Sequence, residues 1–443
     1  MIAFGKSWLR MSGAAVLVAC AATAQAEPID LNVALGTPLL LAGQKQTAVV
    51  KVALTGFALK SENERTPANV ALVIDRSGSM DGDKIEHAKE AAIMAIERLN
   101  ANDIAAVVSY DDTVQVDVPA TKVLDKAAFR HAIARIQVNG STALFAGVSK
   151  GAKEVKKFLD RQRVNRVILI SDGLANVGPS SPAELGRLGA SLGEQGISVT
   201  TIGLGLGYNE DLMARLAGMS DGNHAFAENA NDLAKIFDSE FGDVLSVVAQ
   251  EVTIKIHCAD GVRPLRVLGR DGDIAGQTVT LNLNQLYSSQ EKFVLIEVEV
   301  PAGKTGESQA VADVDVAYFN TVTRQTDRLA NKVAASFVAS PEKVTLATDK
   351  KVMAQTVDQV ANAISKEAVK LKDEGKVEEA QRKLQEGAKY LEQNAQQYAA
   401  PELGARSAEF KQDANDLSNN EDWNRKRKAL VKRQYSIEKQ QKY

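Results

Sequence analysis

The sequence predicts an α/β domain with a doubly wound, mainly parallel sheet, inserted in a β-sandwich and followed by a helical C-terminal region. Near the start of the chain and again after Gln250, apolar residues alternate with polar ones, as half-buried strands require. Between these stretches, apolar runs alternate with segments of helical period, which indicates a parallel sheet covered on both faces. From about Lys351 onward the pattern is helical.

The chain has 443 residues, too many for one ordinary domain of roughly 100–200 residues. Apolar residues make up 45% of it, charged residues 25%, and the formal net charge is -3. This balance creates no overall field that would attract nucleic acid or an anionic membrane, so we expect no nucleic-acid partner. Any partner recognised by charge must bind at a local site.

The first 26 residues have the pattern of a secretory signal peptide. A positively charged start and an apolar stretch precede Ala24-Gln25-Ala26, a cleavage site of small residues. We therefore predict export to the periplasm or the extracellular space. Leu17-Val18-Ala19-Cys20 also resembles a bacterial lipobox, so the alternative is a membrane-anchored lipoprotein with its lipid on Cys20. No later window approaches the ~20 apolar residues of a membrane helix.

The domain boundaries are predicted from the changes of period along the chain. Residues 27–62 hold the first sandwich strands, residues 63–249 the α/β domain, and residues 250–325 the later sandwich strands. Two early strands cannot be stable alone, so one shared sandwich is the economical arrangement. Residues 326–443 form the helical region, which ends in a basic tail. This tail is either a solvated helix or a docking element for an acidic partner or anionic lipid.

In the stretch VIDRSGSM, residues 73–80, a predicted buried strand ends in polar residues at every second position. Side chains at alternate positions of an extended chain project from one side. Asp75, Ser77 and Ser79 could therefore direct three oxygens at one point. Gly78 allows the loop to tighten around that point, because glycine accepts backbone angles that other residues resist.

Three oxygens are too few for a hard cation such as Mg²⁺, which requires about six and usually retains waters. Further ligands are expected at the same sheet edge, because ligands of parallel sheets bind beyond the carboxyl ends of the strands. The stretches Ser171-Asp172-Gly173 and Asn139–Leu144 supply oxygens there. Asp111 and Asp112 follow another strand, and either border the metal or lie in a solvated turn.

The stretch Asp75-Arg76-Ser77-Gly78-Ser79 resembles the D-x-S-x-S loop of von Willebrand factor type A (VWA) domains. Their metal-ion-dependent adhesion site also contains a threonine and a second aspartate. Position by position, the threonine looks like Thr142 in G-S-T-A-L, and the aspartate looks like Asp172 in I-S-D-G. The resemblance covers roughly residues 68–248 and implies a VWA, Rossmann-like fold.

The resemblance implies a metal site formed by Asp75, Ser77, Ser79, Thr142 and Asp172. The hydroxyls would bind a divalent cation directly and the carboxylates directly or through water, with Mg²⁺ expected first and Mn²⁺ or Ca²⁺ as alternatives. An ion held largely by neutral hydroxyls keeps unneutralised charge, so it should accept an Asp or Glu side chain of a partner protein. We therefore predict a metal-dependent adhesion or assembly module of the cell envelope, with no enzymatic activity.

Two other functions are carried as alternatives. Each candidate residue alone could serve in a turn or a helix cap, which would leave a structural envelope scaffold with a degenerate metal site. A metal-dependent hydrolase or phosphotransfer enzyme could use Asp75 as nucleophile, because such enzymes place an aspartate at the end of a first strand. Ser77, however, stands where those enzymes usually have a second acid.

Overall fold

A computed structural model describes residues 29–59, 65–417 and 422–441. The predicted signal peptide, with Cys20 and the cleavage site, lies outside these residues. Within them, no helix is long and apolar enough to cross a membrane. The strands are β1 (Asp30–Leu35), β2 (Leu39–Leu41), β3 (Gln46–Thr55), β4 (Ala68–Asp75), β5 (Ile104–Tyr110), β6 (Val114–Lys122), β7 (Val164–Ser171), β8 (Ser198–Leu204), β9 (His224–Ala227), β10 (Val247–Cys258), β11 (Arg263–Leu268), β12 (Asp273–Ala275), β13 (Thr278–Tyr287), β14 (Glu291–Val300), β15 (Ser308–Asn320) and β16 (Gln325–Val338). The helices are α1 (Asp83–Arg98), α2 (Lys126–Ala134), α3 (Leu144–Lys156), α4 (Pro182–Gly193), α5 (Glu210–Met219), α6 (Ala230–Leu245), α7 (Pro341–Ala347), α8 (Lys350–Asp373), α9 (Val377–Tyr398), α10 (Pro401–Asp416) and α11 (Trp423–Lys439).

The α/β domain is built on a six-stranded sheet with the strand order β6-β5-β4-β7-β8-β9. Its strands are parallel except β6, which pairs antiparallel with β5 at one edge. Every residue of β4 is buried, because helices cover both faces of the sheet. Val70 and Leu72 pack in a core with α1, α2 and α6, whereas Ala71 and Val73 pack with α3, α4 and α5. The predicted doubly wound sheet is confirmed.

Two further sheets form a β-sandwich around a shared apolar core. Their strand orders are β1-β3-β14-β11 and β12-β13-β10-β15-β16-β2. Strands that precede the α/β domain pair directly with strands that follow it, since β3 is the neighbour of β14 and β2 is the neighbour of β16. The α/β domain is therefore inserted between two parts of one sandwich, as predicted.

Two predicted boundaries differ from the structure. The sandwich resumes with β10 at Val247, before the predicted start at residue 250. It ends with β16, a strand at Gln325–Val338, although the segment from residue 326 was predicted to be helical. Most residues of β16 are exposed or half-exposed, so its sequence lacks the apolar alternation that identifies a strand. The helical region begins instead with α7 at Pro341.

The helical region packs on itself and on the α/β domain. Helices α8 and α9 form a hairpin, and Gly375 ends α8 with a φ of +80°, a backbone angle that favours glycine at this position. Helix α10 packs on α9. Helix α11, which contains most of the predicted basic tail, lies against α8, α5 and β9. The described part of the tail is therefore a docked helix.

Candidate metal centre

The first part of the candidate site is the loop after β4. Asp75 is fully buried, and its Oδ1 accepts a hydrogen bond from the Ser77 N–H at 2.9 Å. The hydroxyl oxygens of Ser77 and Ser79 lie 3.2 Å apart. The chain is not extended through these positions, as the alternating pattern suggested, because Gly78–Met80 forms a 3-10 turn. The turn still brings the two hydroxyls together.

The second part is the end of β7, the parallel neighbour of β4. Because both carboxyl ends reach the same sheet edge, Asp172 follows β7 close to the point where Asp75 ends β4. The Ser79 hydroxyl donates a hydrogen bond to Asp172 Oδ1 at 2.7 Å, which joins the two loops. Asp75 Oδ2 accepts hydrogen bonds from the hydroxyls of Ser171 at 2.5 Å and Tyr110 at 3.2 Å.

Thr142 approaches from the loop that precedes α3. Its hydroxyl and the Asp75 carboxylate both lie beside Gly173: a Cβ added at Gly173 would be 2.9 Å from Thr142 Oγ1 and 3.2 Å from Asp75 Oδ2. The Gly78 N–H donates a hydrogen bond to the Gly140 carbonyl at 3.1 Å, which connects this loop to the loop after β4. Three loops therefore converge at one sheet edge.

The structure brings all five predicted residues to this edge. Asp75, Ser77, Ser79 and Asp172 form one hydrogen-bonded cluster, and Thr142 lies beside it. Ser79 is exposed, whereas the other four residues are buried, so the cluster is open to solvent on the Ser79 side. The metal-binding role of these residues stays a prediction.

Asp111 and Asp112 do not join the cluster. The buried Asp111 carboxylate pairs with the Arg76 guanidinium at 2.9 Å and accepts two hydrogen bonds from Thr113, so it stabilises the turn after β5. Asp112 is exposed and lies beside Gly140, where an added Cβ would meet its carboxylate. Asp111 therefore lies in a turn, but its side chain is buried and not solvated as the turn alternative expected, whereas Asp112 is exposed.

The electrostatic balance of the cluster favours added positive charge. Burial raises the pKa of Asp75, although hydrogen bonds from neighbouring serines oppose the shift. A cation that does contact the cluster is Lys84, in the first turn of α1, whose ammonium donates hydrogen bonds to Asp172 Oδ2 and to the Ser79 carbonyl. Lys84 was not among the predicted site residues. Its position at the start of the helix that follows the D-x-S-x-S loop was the available signal.

The donor set consists of two carboxylates and three hydroxyls, which are the oxygen ligands that hard divalent cations prefer. In the part of the chain that the structure describes, no group of three or more His, Cys, Asp or Glu side chains could hold a metal ion. A softer metal would prefer nitrogen or sulfur ligands. The cluster therefore fits a hard cation that completes its shell with water.

A parallel sheet covered by helices, with a D-x-S-x-S loop at the end of its first domain strand, defines the class of von Willebrand factor type A domains. Residues 69–239 match the family model described as "von Willebrand factor type A domain". The chain therefore contains a VWA domain. Domains of this class generally mediate protein–protein interactions and often bind a divalent metal.

Two bacterial relatives and one solved structure show how far the similarity extends. The chain is 26% identical to the uncharacterized protein sll0103 of Synechocystis over 318 residues, which are 68% of this chain and 74% of that protein. It is 28% identical to the uncharacterized protein YfbK of Escherichia coli over 214 residues, 48% of this chain but only 37% of YfbK. A von Willebrand factor type A structure from Catenulispora acidiphila has a TM-score of 0.68 at 19% identity and covers 85% of this chain and 89% of its own. The shared fold thus extends beyond the VWA domain.

Proposed function

We propose that the protein is an exported, metal-dependent protein-binding module of the cell envelope, serving adhesion or assembly. A divalent cation, Mg²⁺ with Mn²⁺ or Ca²⁺ as alternatives, would be held by Asp75, Ser77, Ser79, Thr142 and Asp172. The observation that supports this function is the cluster itself, in which two buried carboxylates and a set of hydroxyls meet at a solvent-accessible sheet edge.

The chemistry of the ligands suggests what the bound cation would do. Hydroxyls carry no charge, so an ion bound mainly by them keeps much of its own charge. Such an ion supplies an electrophilic centre for an external carboxylate. Because the cluster is open on the Ser79 side, we expect the partner to present an Asp or Glu side chain there.

Binding fits this site better than catalysis. Asp75, the nucleophile of the enzymatic alternative, is fully buried. Its two carboxylate oxygens accept hydrogen bonds from the Ser77 N–H and from the hydroxyls of Tyr110 and Ser171. To act as a nucleophile, Asp75 would have to give up these hydrogen bonds and reach a substrate, whereas it can hold a cation through water from its buried position.

Export is part of this proposal because residues 1–26 have the pattern of a secretory signal peptide. The exported protein has two alternative fates: it is released into the periplasm or the extracellular space after cleavage at Ala26, or it is anchored by a lipid at Cys20. Mass spectrometry of the mature N-terminus distinguishes them, because only the second leaves a lipidated cysteine as the first residue.

The proposal predicts that divalent metal stabilises the folded protein. A ligand that binds only the native state adds about 2.7 kcal/mol to the free energy of unfolding at 100 times its Kd. We expect thermal unfolding in Mg²⁺ or Mn²⁺ to occur at a higher temperature than in EDTA, and Asp172→Asn to abolish that difference. Asp313→Asn removes a carboxylate from an exposed ion pair of the sandwich and is the matched control, which should respond like wild type.

Absence of any metal-dependent shift in the wild-type protein would contradict the proposal and favour a degenerate site. If the shift is present, the partner can be sought in envelope extracts as protein retained with Mn²⁺ and released by EDTA. Asp172→Asn as bait should retain none of it.

A further inference from the structure

Lys84 occupies a position at the candidate metal centre that the proposed function leaves unexplained. Its ammonium donates hydrogen bonds to Asp172 Oδ2 and, at 3.0 Å, to the Ser79 carbonyl. The Asp172 carboxylate is fully buried, whereas the Lys84 side chain is 41% exposed. A built-in monovalent cation thus contacts one of the two carboxylates proposed to hold a divalent one.

Both carboxylate oxygens of Asp172 already accept hydrogen bonds. Oδ1 accepts the Ser79 hydroxyl and Oδ2 accepts the Lys84 ammonium. An ionised carboxylate has about four lone-pair positions, so a metal can still reach Asp172, directly or through water, but it must then share the carboxylate with the ammonium. Displacing the lysine is favoured, because a divalent ion and an ammonium on the same carboxylate repel each other, and a buried setting strengthens that repulsion.

A cleft beside Lys84 can accommodate its side chain when the ammonium leaves Asp172. A cleft of about 260 Å³ lies along its side chain, between the start of α1, the ends of β8 and β9, and the start of α6. Asp83 and Glu228 line this cleft together with Leu204 and Leu233, and the Glu228 carboxylate also pairs with Arg425. Lysine has a flexible four-carbon stem, so its ammonium can move from Asp172 to the cleft without moving the helix.

We propose that Lys84 is an internal competitor for the divalent cation: its ammonium neutralises Asp172 in the metal-free protein and is displaced from it by charge repulsion when metal binds. Lys84 therefore sets the metal affinity of the site. The ammonium of Lys84 keeps the metal-free site ordered and weakens metal binding. The fraction of protein with bound metal therefore changes with the surrounding metal concentration. This inference rests on the proposed function, because it assumes that the cluster binds metal.

The test compares metal affinity in single variants of the full chain by titration calorimetry with Mn²⁺ and with Mg²⁺. We expect Lys84→Gln to lower the Kd by roughly tenfold, because one competing positive charge is removed. Lys84→Arg keeps the charge and should stay close to wild type. Lys89→Gln removes a lysine from the same helix that pairs with Glu86 and is the matched control, which should leave the Kd unchanged.

A second readout separates competition from a general loss of structure. In EDTA, Lys84→Gln should unfold at a lower temperature than wild type, because Asp172 has lost its cation, and its rise in Tm on adding Mn²⁺ should exceed that of wild type. Lys84→Met serves the same comparison if Lys84→Gln does not fold.

Metal binding of equal or weaker strength in Lys84→Gln than in wild type would overturn the role of Lys84 while leaving the proposed function intact. Failure of both proteins to bind Mn²⁺ or Mg²⁺ would overturn both proposals. Tighter binding in Lys84→Gln but not in Lys89→Gln would support both.

Discussion

Two buried carboxylates of the VWA domain, Asp75 at the candidate metal centre and Glu210 on α5, have pKa values shifted in opposite directions. Burial raises the pKa of Asp75, whose partners are hydroxyls and a backbone N–H. Burial acts in the same sense on Glu210, but hydrogen bonds from Lys428 and Arg427 outweigh it and lower the pKa of that carboxyl. The difference lies in counter-charge: the contact between α5 and α11 contains its own cations, whereas Asp75 forms no ion pair with any residue that the structure describes.

The basic residues of α11 are neutralised within the chain, partly at the contact with α5 and partly against α8, α10 and neighbouring loops. Most of them pair with acidic residues of the chain itself: Arg425 with Glu228, Lys426 with Asp416, Arg427 with Asp211 and Asp373, Arg433 with Glu409 and Asp413, and Lys439 with Asp221. The acidic docking partner considered for the basic tail is thus present in the same chain. At the contact of α11 the charges are balanced, whereas at the candidate metal centre two buried carboxylates are contacted by one cation, Lys84.

The largest effect is expected from removing Lys428, which is 2% exposed. Its ammonium donates hydrogen bonds to Glu210 Oε2 at 2.6 Å and to the Tyr208 carbonyl at 2.8 Å. Removing one member of a buried ion pair leaves the other uncompensated, at a cost of about 3–5 kcal/mol. We expect Lys428→Met to lower the free energy of unfolding in urea by about 3 kcal/mol, since Arg427 still pairs with Glu210.

The double variant Lys428→Met/Glu210→Gln provides the control, because removing both charges should recover part of the lost stability. The partly exposed Lys84 should cost less than Lys428 when replaced by Gln in metal-free protein. A loss below about 1 kcal/mol for Lys428→Met would mean that the two sites do not differ as described.

A smaller effect on the stability of the protein, seen as a change in its pH dependence, is expected from replacing His224 in β9. The His224 ring lies edge-on to the ring of Tyr435 of α11, with centroids 5.7 Å apart. Burial lowers the pKa of His224 to about 4 from its ordinary value of 6.5. Because the folded protein favours the neutral ring, this contribution to stability is complete above pH 6.5 and is lost as the pH falls towards 4. Between pH 7.5 and 5, wild type should lose about 2 kcal/mol that His224→Phe does not lose.

The measurement is urea unfolding at several pH values, with wild type and variant compared at each one. Burial also raises the pKa of Asp243 to about 6, which acts in the opposite sense, but Asp243 is present in both proteins and cancels in the comparison. His131→Asn, at an exposed position of α2, should keep the wild-type pH dependence. Identical pH profiles for wild type and His224→Phe would refute this account of the buried ring.

The sequence was sufficient for the features that depend on local pattern. Apolar period predicted the inserted sheet and the sandwich, and sheet topology explains why loops after β4 and β7 meet. The apolar period did not predict β16, because the mostly exposed residues of this strand do not alternate between apolar and polar. A sequence pattern also cannot predict that Lys428 pairs with Glu210. The two residues are 218 positions apart, and the charge of a lysine does not indicate which acidic residue it contacts. Lys84 was close to the motif but lay on the helix after it.

The smallest effect is expected from Arg425→Gln, which breaks the ion pair of Arg425 with Glu228. The two side chains are 50% and 42% exposed and their charged atoms lie 2.8 Å apart. Water and salt screen such a pair, so the free energy of unfolding should fall by less than about 0.5 kcal/mol, and 0.5–1 M NaCl should remove the difference from wild type. If Arg425→Gln lowered the free energy of unfolding as much as Lys428→Met does, and salt did not remove the difference, the Arg425–Glu228 pair would be as shielded from solvent as the Lys428–Glu210 pair.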